Sequence, residues 1–346
     1  MSRVRISERI RLWLSVSVVI FMAGVIFTYA RWLAYDPYPS AASDLDVPLL
    51  FGRGETAWEH LIADTDPGVP ILCYHYFRPG LTPGRFLRVL GAVLLNMPTL
   101  PENDFWTTTV PEFDRQLRWL SESGYRTVSL SDLTAWMNGE GEIPEKAVVI
   151  TFDDGDDSVA RYAVPILRRY GFSGTVFMLT GRAGEQGWND LNLLDWDTMR
   201  RLEREGVLRV ESHTHRLHTK ELVDGQPVPT FKGAARDSTG QIVADSRLYR
   251  DLTASRATIR RELGHDISFL AWPFGYGDAT VDSVAHTLGF ERLLTLRPER
   301  NAPDFERSEQ EPHADGLGRY AVTARTSMRL FRKMVDHSAE ADPVSN

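Results

Sequence analysis

The sequence predicts an α/β fold built on a mainly parallel sheet, doubly wound or closed as a barrel. Three observations carry that expectation. Apolar and β-branched runs such as Ala147–Phe152 alternate with segments of helical period from about residue 107 onward. Gly124, Gly171, Gly206, Gly264 and Gly289 each stop a helical pattern shortly before the next strand pattern. Several strand patterns run straight into charged or imidazole side chains, and the carboxyl ends of parallel strands are where such folds place their chemistry.

Leu12 to Ala30 is a run of nineteen uncharged residues, which at 1.5 Å per residue nearly spans a bilayer core of about 30 Å. Arg3, Arg5, Arg9 and Arg11 precede it and only Arg31 follows closely, so residues 1–33 are expected to form a transmembrane anchor with a cytoplasmic N-terminus and an extracytoplasmic body. A cleaved signal peptide is the competing reading, but its best cleavage signal, Thr28-Tyr29-Ala30, is weak. Residues 34–68, with Pro37, Pro39, Pro48 and Pro67 and no sustained period, are expected to be a linker. Residues 69–335 are expected to be the folded domain and 336–346 a tail.

Within the domain, Val69–Phe77 reads as a short strand that delivers His75. Residues 79–106 read as an insertion whose apolar stretch around 86–95 suits a core helix or a helix at a membrane surface. Thr109-Val-Pro-Glu112 has the form of a capping box, and Phe113, Leu117 and Leu120 fall on one face of the helix that follows. A strand at 127–130, a helix at 131–138 and the strand 147–152 come next. A helix over 158–170 is broken at Pro165, and 174–179 is a strand. The helix from 195 to 205 precedes the strand 208–211, and 219–248 is expected to be a polar loop. A helix over 252–263, a strand at 267–272, a helix over 281–288 and a weak strand at 293–296 follow. The remainder is a polar loop over 299–316, a strand at 320–323 and a helix at 327–335.

Composition excludes several classes. Of 346 residues, 42% are hydrophobic and 25% charged, which suits a globular domain. The net charge of −8 argues against a nucleic-acid partner. The one cysteine, Cys73, rules out an internal disulfide and any multi-cysteine zinc site; its neighbours Ile71 and Leu72 suit a buried structural thiol.

The chemistry concentrates in three places. Asp153 and Asp154 end the strand 147–152, and two adjacent carboxylates need a proton, a metal or donors to stabilise them. An N-cap cluster is the bland alternative, since Asp156, Asp157 and Ser158 precede a helix. His213, His215 and His218 fall within six residues after the strand 208–211, and neutral imidazoles with one carboxylate suit a divalent transition metal. Trp272-Pro-Phe-Gly275 ends the strand 267–272, with Tyr276 next, offering an aromatic wall and a backbone N–H for a substrate oxygen.

Thr151-Phe-Asp-Asp-Gly155, Ser212-His-Thr-x-x-Leu-His218 and Trp272-Pro-Phe-Gly275, in this order, resemble the motifs of the polysaccharide deacetylase family, also called the NodB homology or carbohydrate esterase 4 family. The resemblance implies a distorted (β/α) barrel and a metal-dependent N-deacetylase. It implies Asp153 as general base, Asp154, His213 and His218 as ligands of one divalent ion (zinc, cobalt, nickel or iron), and Phe274, Trp272 and Tyr276 toward substrate and oxyanion. The spacing of five between His213 and His218, with Leu217 before the second, and the early Tyr74-His75 pair resemble the branch that deacetylates poly-β-1,6-N-acetylglucosamine in biofilm matrices. That likeness implies His75 as the acid for the leaving amine. His215 stands as an alternative ligand.

Two departures stand out. Ala271 occupies the place where many members carry an arginine that pairs with the base, and no late Leu-x-His motif is present. The implied partners are an N-acetylated polysaccharide, the membrane and a polysaccharide synthase. Alternative readings are a deacetylase for peptidoglycan or a lipid-linked aminosugar, and an inert, tethered carbohydrate-binding protein.

Overall fold

The six residues of β5 (Ala147–Phe152) are all buried, as in a strand flanked on both sides and covered on both faces. The computed structural model describes residues 17–24, 68–80, 105–223, 225–233, 246–275, 277–303 and 316–336. In it β5 pairs in parallel with β1 (Ile71–Tyr74), β4 (Arg126–Thr127) and β6 (Gly174–Met178). The main path continues from β6 through β9 (Leu208–Ser212), β12 (Phe269–Ala271) and β13 (Arg292–Leu294) to β14 (Gly316–Leu317). On the other side of β5, β1 leads to β15 (Tyr320–Ala321). Every pairing along this path is parallel.

The two edge strands of this path, β14 and β15, are separated in sequence only by Gly318 and Arg319. Three residue steps span at most about 11 Å, so the sheet has to curl until its edges almost meet. The expected barrel is thus a strongly curled sheet that stays open between β14 and β15.

Strand alternation divides the core in two. Ile71, Val149, Phe177, Phe269, Leu294 and Leu317 form one cluster, which α2 (Leu130–Met137) joins through Leu130, Leu133 and Met137. Leu72, Tyr74, Ile150, Phe152, Val176, Val210 and Leu270 belong to a second cluster on the opposite face. There they pack with residues of α1 (Val110–Glu122), α3 (Val164–Tyr170), α4 (Trp196–Arg204), α5 (Arg247–Leu263), α6 (Ala279–Thr287) and α7 (Met328–Val335). Thr109 caps α1 as expected, accepting from the Glu112 N–H at 3.4 Å, and a capping box not expected from the sequence, Ser129 with Asp132, opens α2.

Some expectations need correction. The interruption expected at Pro165 is a π-helical turn, Val159–Ala163, leading into α3, with the proline in the first turn of α3 where its missing N–H costs nothing. The loop expected over 219–248 contains a hairpin of β10 (Lys220–Val223) and β11 (Gln226–Pro229). Its far end belongs to α5, which starts at Arg247 because Ser246 caps it, accepting from the Tyr249 N–H at 3.2 Å. A second hairpin, β7 (Gln186–Trp188) with β8 (Leu191–Asn192), has no clear sequence pattern. The loop expected over 299–316 ends in β14, which is too short to show a period.

Residues 17–24 are helical, with Val18, Val19, Ile20 and Met22 exposed. Among the described residues no helix is long and apolar enough to cross a membrane. The flanks of the predicted 12–30 segment, linker residues 34–67, insertion residues 81–104 and tail residues 337–346 lie outside the described residues.

The seam between β9 and β12 has a single register pair, Leu270 with Ser212. Buried Glu211 stitches it, its Oε2 accepting the Phe269 N–H at 3.0 Å. Burial pushes the Glu211 carboxyl up to about 8, so the folded protein binds this proton where the unfolded chain has released it. The stabilising proton is fully retained below about pH 4.5 and lost as pH rises through about 8, a span worth on the order of 5 kcal/mol. Thermal melting of Glu211→Gln, which keeps an acceptor and removes the titration, is expected to show less decline between pH 5 and 8 than the parent; an identical pH profile would refute this assignment.

Candidate active site

The strand ends bring the sequence candidates to one cavity of about 360 Å³, lined by His75, Asp153, Asp154, His213, His218 and Phe274 among others. His75 follows β1, the aspartates follow β5, His213 follows β9 and Phe274 lies beyond β12. Three of the turns that carry them force a non-glycine residue to positive φ: Asp154 at 66°, Thr214 at 75° and Phe274 at 63°. Such conformations cost roughly 1–3 kcal/mol each and persist where surrounding structure imposes them.

Asp154, His213 and His218 converge within 4.8 Å of one another. The Nδ1 of His213 lies 2.8 Å from the Ala271 carbonyl oxygen. A carbonyl only accepts, so Nδ1 carries the proton and neutral His213 presents the bare lone pair of Nε2. That lone pair faces Asp154 Oδ1 at 3.4 Å, and the Nε2 of His218 lies 3.1 Å from the same oxygen. Asp154 Oδ1 is buried and has no hydrogen-bond partner, whereas Tyr76 donates its hydroxyl to Oδ2. Lone pairs converging on one orphaned oxygen call for a cation between them, and one carboxylate with two imidazoles suits a divalent transition metal. The charges agree: burial opposes ionisation of Asp154, yet His218 and His213 hold it well below the usual carboxylate range. Burial lowers His213, and Asp153 and Asp154 more than reverse this.

Asp153 is held apart from that group. Buried Arg319 donates from Nη1 to its Oδ1 at 2.7 Å and from Nη2 to its Oδ2 at 2.8 Å. The Nε of Arg319 donates to the Thr295 carbonyl at 3.0 Å. Burial raises the Asp153 carboxyl, and Arg319 together with His213 and His75 more than reverses this, leaving a net lowering. The expected absence of an arginine partner is thus corrected: Arg319 approaches from the β14–β15 junction, and Ala271 contributes its carbonyl to His213 instead. The chain makes room at Gly318, where an added Cβ would stand 2.1 Å from Glu299 Cγ and 2.8 Å from the Arg297 carbonyl oxygen.

His75 is buried with its ring 4.4 Å from that of Trp106. Desolvation lowers it to about 4, so it is neutral near pH 7. His218 sits between the rings of Phe274, at 4.5 Å, and Trp188, at 5.7 Å.

Two candidates fall away from the cavity. Trp272 is fully buried, stacked on Phe231 at 5.0 Å, with its indole N–H donating to Asp282 Oδ1 at 2.7 Å; it is a core residue and offers no sugar platform. His215 pairs through Nδ1 with the Thr180 hydroxyl at 2.9 Å and is not in the Asp154 group. Tyr276 lies outside the described residues. Sequence reading missed Arg319, Tyr76, Trp106 and Trp188. Tyr76 was legible by its place beside His75; the others arrive from segments with no motif.

Comparison with known proteins agrees with this geometry. The polysaccharide deacetylase family model matches residues 140–293. Poly-beta-1,6-N-acetyl-D-glucosamine N-deacetylase of Staphylococcus aureus (strain MSSA476) is 24% identical over 170 residues, 49% of this chain and 54% of that protein. The Staphylococcus epidermidis enzyme of the same name is 26% identical over 201 residues, 58% of this chain and 65% of that protein. The chain therefore spans about half to two thirds of the length of these curated relatives. Among solved structures, IcaB from Ammonifex degensii superposes with a TM-score of 0.55 at 25% identity, covering 78% of this chain and 96% of that one. A de-N-acetylase from Aggregatibacter actinomycetemcomitans shares the fold with a TM-score of 0.58 at 20% identity, covering 78% and 100%. With its curled parallel sheet and its Asp-His-His group at the strand ends, the chain belongs to the polysaccharide deacetylase family, distantly related to the poly-β-1,6-N-acetyl-D-glucosamine N-deacetylases.

Proposed function

We propose that this chain is a metal-dependent N-deacetylase that removes acetyl groups from a β-linked N-acetylglucosamine polymer of the biofilm-matrix type. The observation that carries the reading is the division of labour between adjacent carboxylates. Asp154 Oδ1 faces two imidazole nitrogens, while Asp153 is held by Arg319 beside His75. A divalent cation held by Asp154, His213 and His218 supplies Lewis acidity and lowers the pKa of a water molecule.

The chain's own residues move the protons. Asp153, ionised under Arg319, takes a proton as water attacks the acetyl carbon. His75 enters the cycle neutral, so it first receives the proton that Asp153 took from the water, the two lying within 4.8 Å, and as imidazolium then gives it to the departing amine. The C–N bond breaks, a C–O bond forms, and acetate and a free amine leave. The Phe274 N–H is assigned to the developing oxyanion. The rings of Trp188 and Phe274 wall the cavity beside His218 and suit the apolar face of a sugar. Arg319 supports a competent site against the inert-binder reading. An N-terminal anchor over 1–33, with the domain outside the cell membrane, and supply of polymer by a synthase complete the proposal.

Asp154→Ala and His213→Ala are expected to lose metal binding by calorimetry together with acetate release, whereas His75→Ala keeps the metal and loses about 10²–10⁴ in turnover; full turnover in His75→Ala removes its role. Acetate release from β-1,6-linked oligomers, compared with peptidoglycan, separates the two substrate readings. Arg319→Met strands a buried carboxylate and is expected to cost about 3–5 kcal/mol in chemical denaturation. Whatever activity it keeps should fade at higher pH than in the parent, because Asp153 then protonates more easily as pH falls; an unmoved acid limb of kcat/KM would count against Asp153 as base. The full chain should sediment with membranes and a form beginning at residue 45 should not; equal partition would remove the anchor.

A further inference from the structure

Behind the cavity wall lies a donor atom that deacetylation does not use, the Cys73 thiol. Cys73 is the single cysteine of the chain and is fully buried. Burial pushes the thiol well above its ordinary range, and Asp153 beside it raises it further. Cys73 and His75 are two residues apart at the end of β1, and Asp153 follows the adjacent strand, so the pleat brings all three together. One ligand atom from each of Cys73, His75 and Asp153 lies within 4.8 Å of the others. His75 Nδ1 is buried and makes no hydrogen bond, although its ring is only 8% exposed.

We propose that Cys73, His75 and Asp153 form a second, inhibitory site for a soft divalent cation such as zinc or cadmium, separate from Asp154, His213 and His218. A thiolate, an imidazole and a carboxylate are the ligands such ions select, with a fourth position left for water. Tetrahedral binding brings such donors to roughly 3.5 Å from one another, a contraction of about 1 Å from the widest separation the group permits. On binding, the Cys73 S–H bond breaks, an S–metal bond forms and the proton leaves through the cavity that His75 and Asp153 line; nothing is oxidised or reduced.

Charge ranks the two sites. Arg319 already occupies both oxygens of Asp153 and repels an incoming cation, whereas no arginine or lysine pairs with Asp154 among the ion pairs found for the described residues. The Asp154 group therefore fills first. An ion at the second site ties up the base and the acid together, so activity rises with the first equivalent of metal and falls with the second.

The test uses the full chain, titrated separately with cobalt(II) and cadmium(II) while thiolate-to-metal charge-transfer absorption, bound metal and acetate release are followed. The expected result is no thiolate band at the first equivalent, a band at the second, and acetate release falling about a hundredfold or more as the band saturates. Because Cys73 is the only thiol, a band in folded protein has no other source. Cys73→Ser and Cys73→Ala should lose the band and shift inhibition to higher metal concentration. His213→Ala, which removes the first site, should keep the band, so failure of the Asp154 assignment is distinguishable from failure of this one. A folded parent protein with no thiolate band at several equivalents overturns the proposal, as does undiminished acetate release once the band is saturated.

Discussion

The paired hydrogen bonds between Arg319 and Asp153 set the terms for the rest of the site. Removing a carboxylate from water without a partner costs several kcal/mol, and Asp153 is only 2% exposed. Arg319 has no exposure at all and spends its Nε on the Thr295 carbonyl, so neither member of the pair looks to solvent. For the two to meet, the segment that links the edge strands must lie over the end of the central strand, which a flat sheet does not allow. The curl of the sheet and the ionisation of Asp153 are thus one constraint seen at two scales.

That separation lets neighbouring aspartates behave differently. Asp153 faces a fixed cation of the protein, and Asp154, turned away by its positive φ, faces imidazoles and the Tyr76 hydroxyl. Asp251 on α5 braces the histidine turn, accepting the backbone N–H of His215 at 2.7 Å and of Arg216 at 2.9 Å. A water-excluding wall formed by Trp106 keeps His75 neutral at rest. Each group is tuned by a different physical cause, which is how like residues a few ångströms apart come to have unlike tasks.

Much of this was legible in the sequence where function and local pattern coincide. Asp153, Asp154, His213 and His218 follow strands of clear period, and their residue types announce the chemistry. Arg319 was not legible, because β14 has two residues and shows no alternation to mark it as a strand, and although β15 was expected, the role of the residue before it depends on which edges meet. Trp272 was open to two readings from the sequence, since an aromatic residue at a strand end suits a sugar platform or the core, and Phe231 and Asp282, which enclose it, decide for the core. The hairpins at 186–192 and 220–229 escaped because strands of two to four residues are too short to show a period.

The link between β14 and β15 also has a consequence for timing. Residues 153 and 319 lie 166 positions apart, and a chain emerges from the ribosome from its N-terminus at roughly 5–20 residues per second. The nascent sheet can assemble its central strands while the guanidinium for Asp153 is still unsynthesised. The cavity at the strand ends is therefore among the last parts of the domain to mature, and a chain that ends before Arg319 is born with Asp153 buried and without its guanidinium partner.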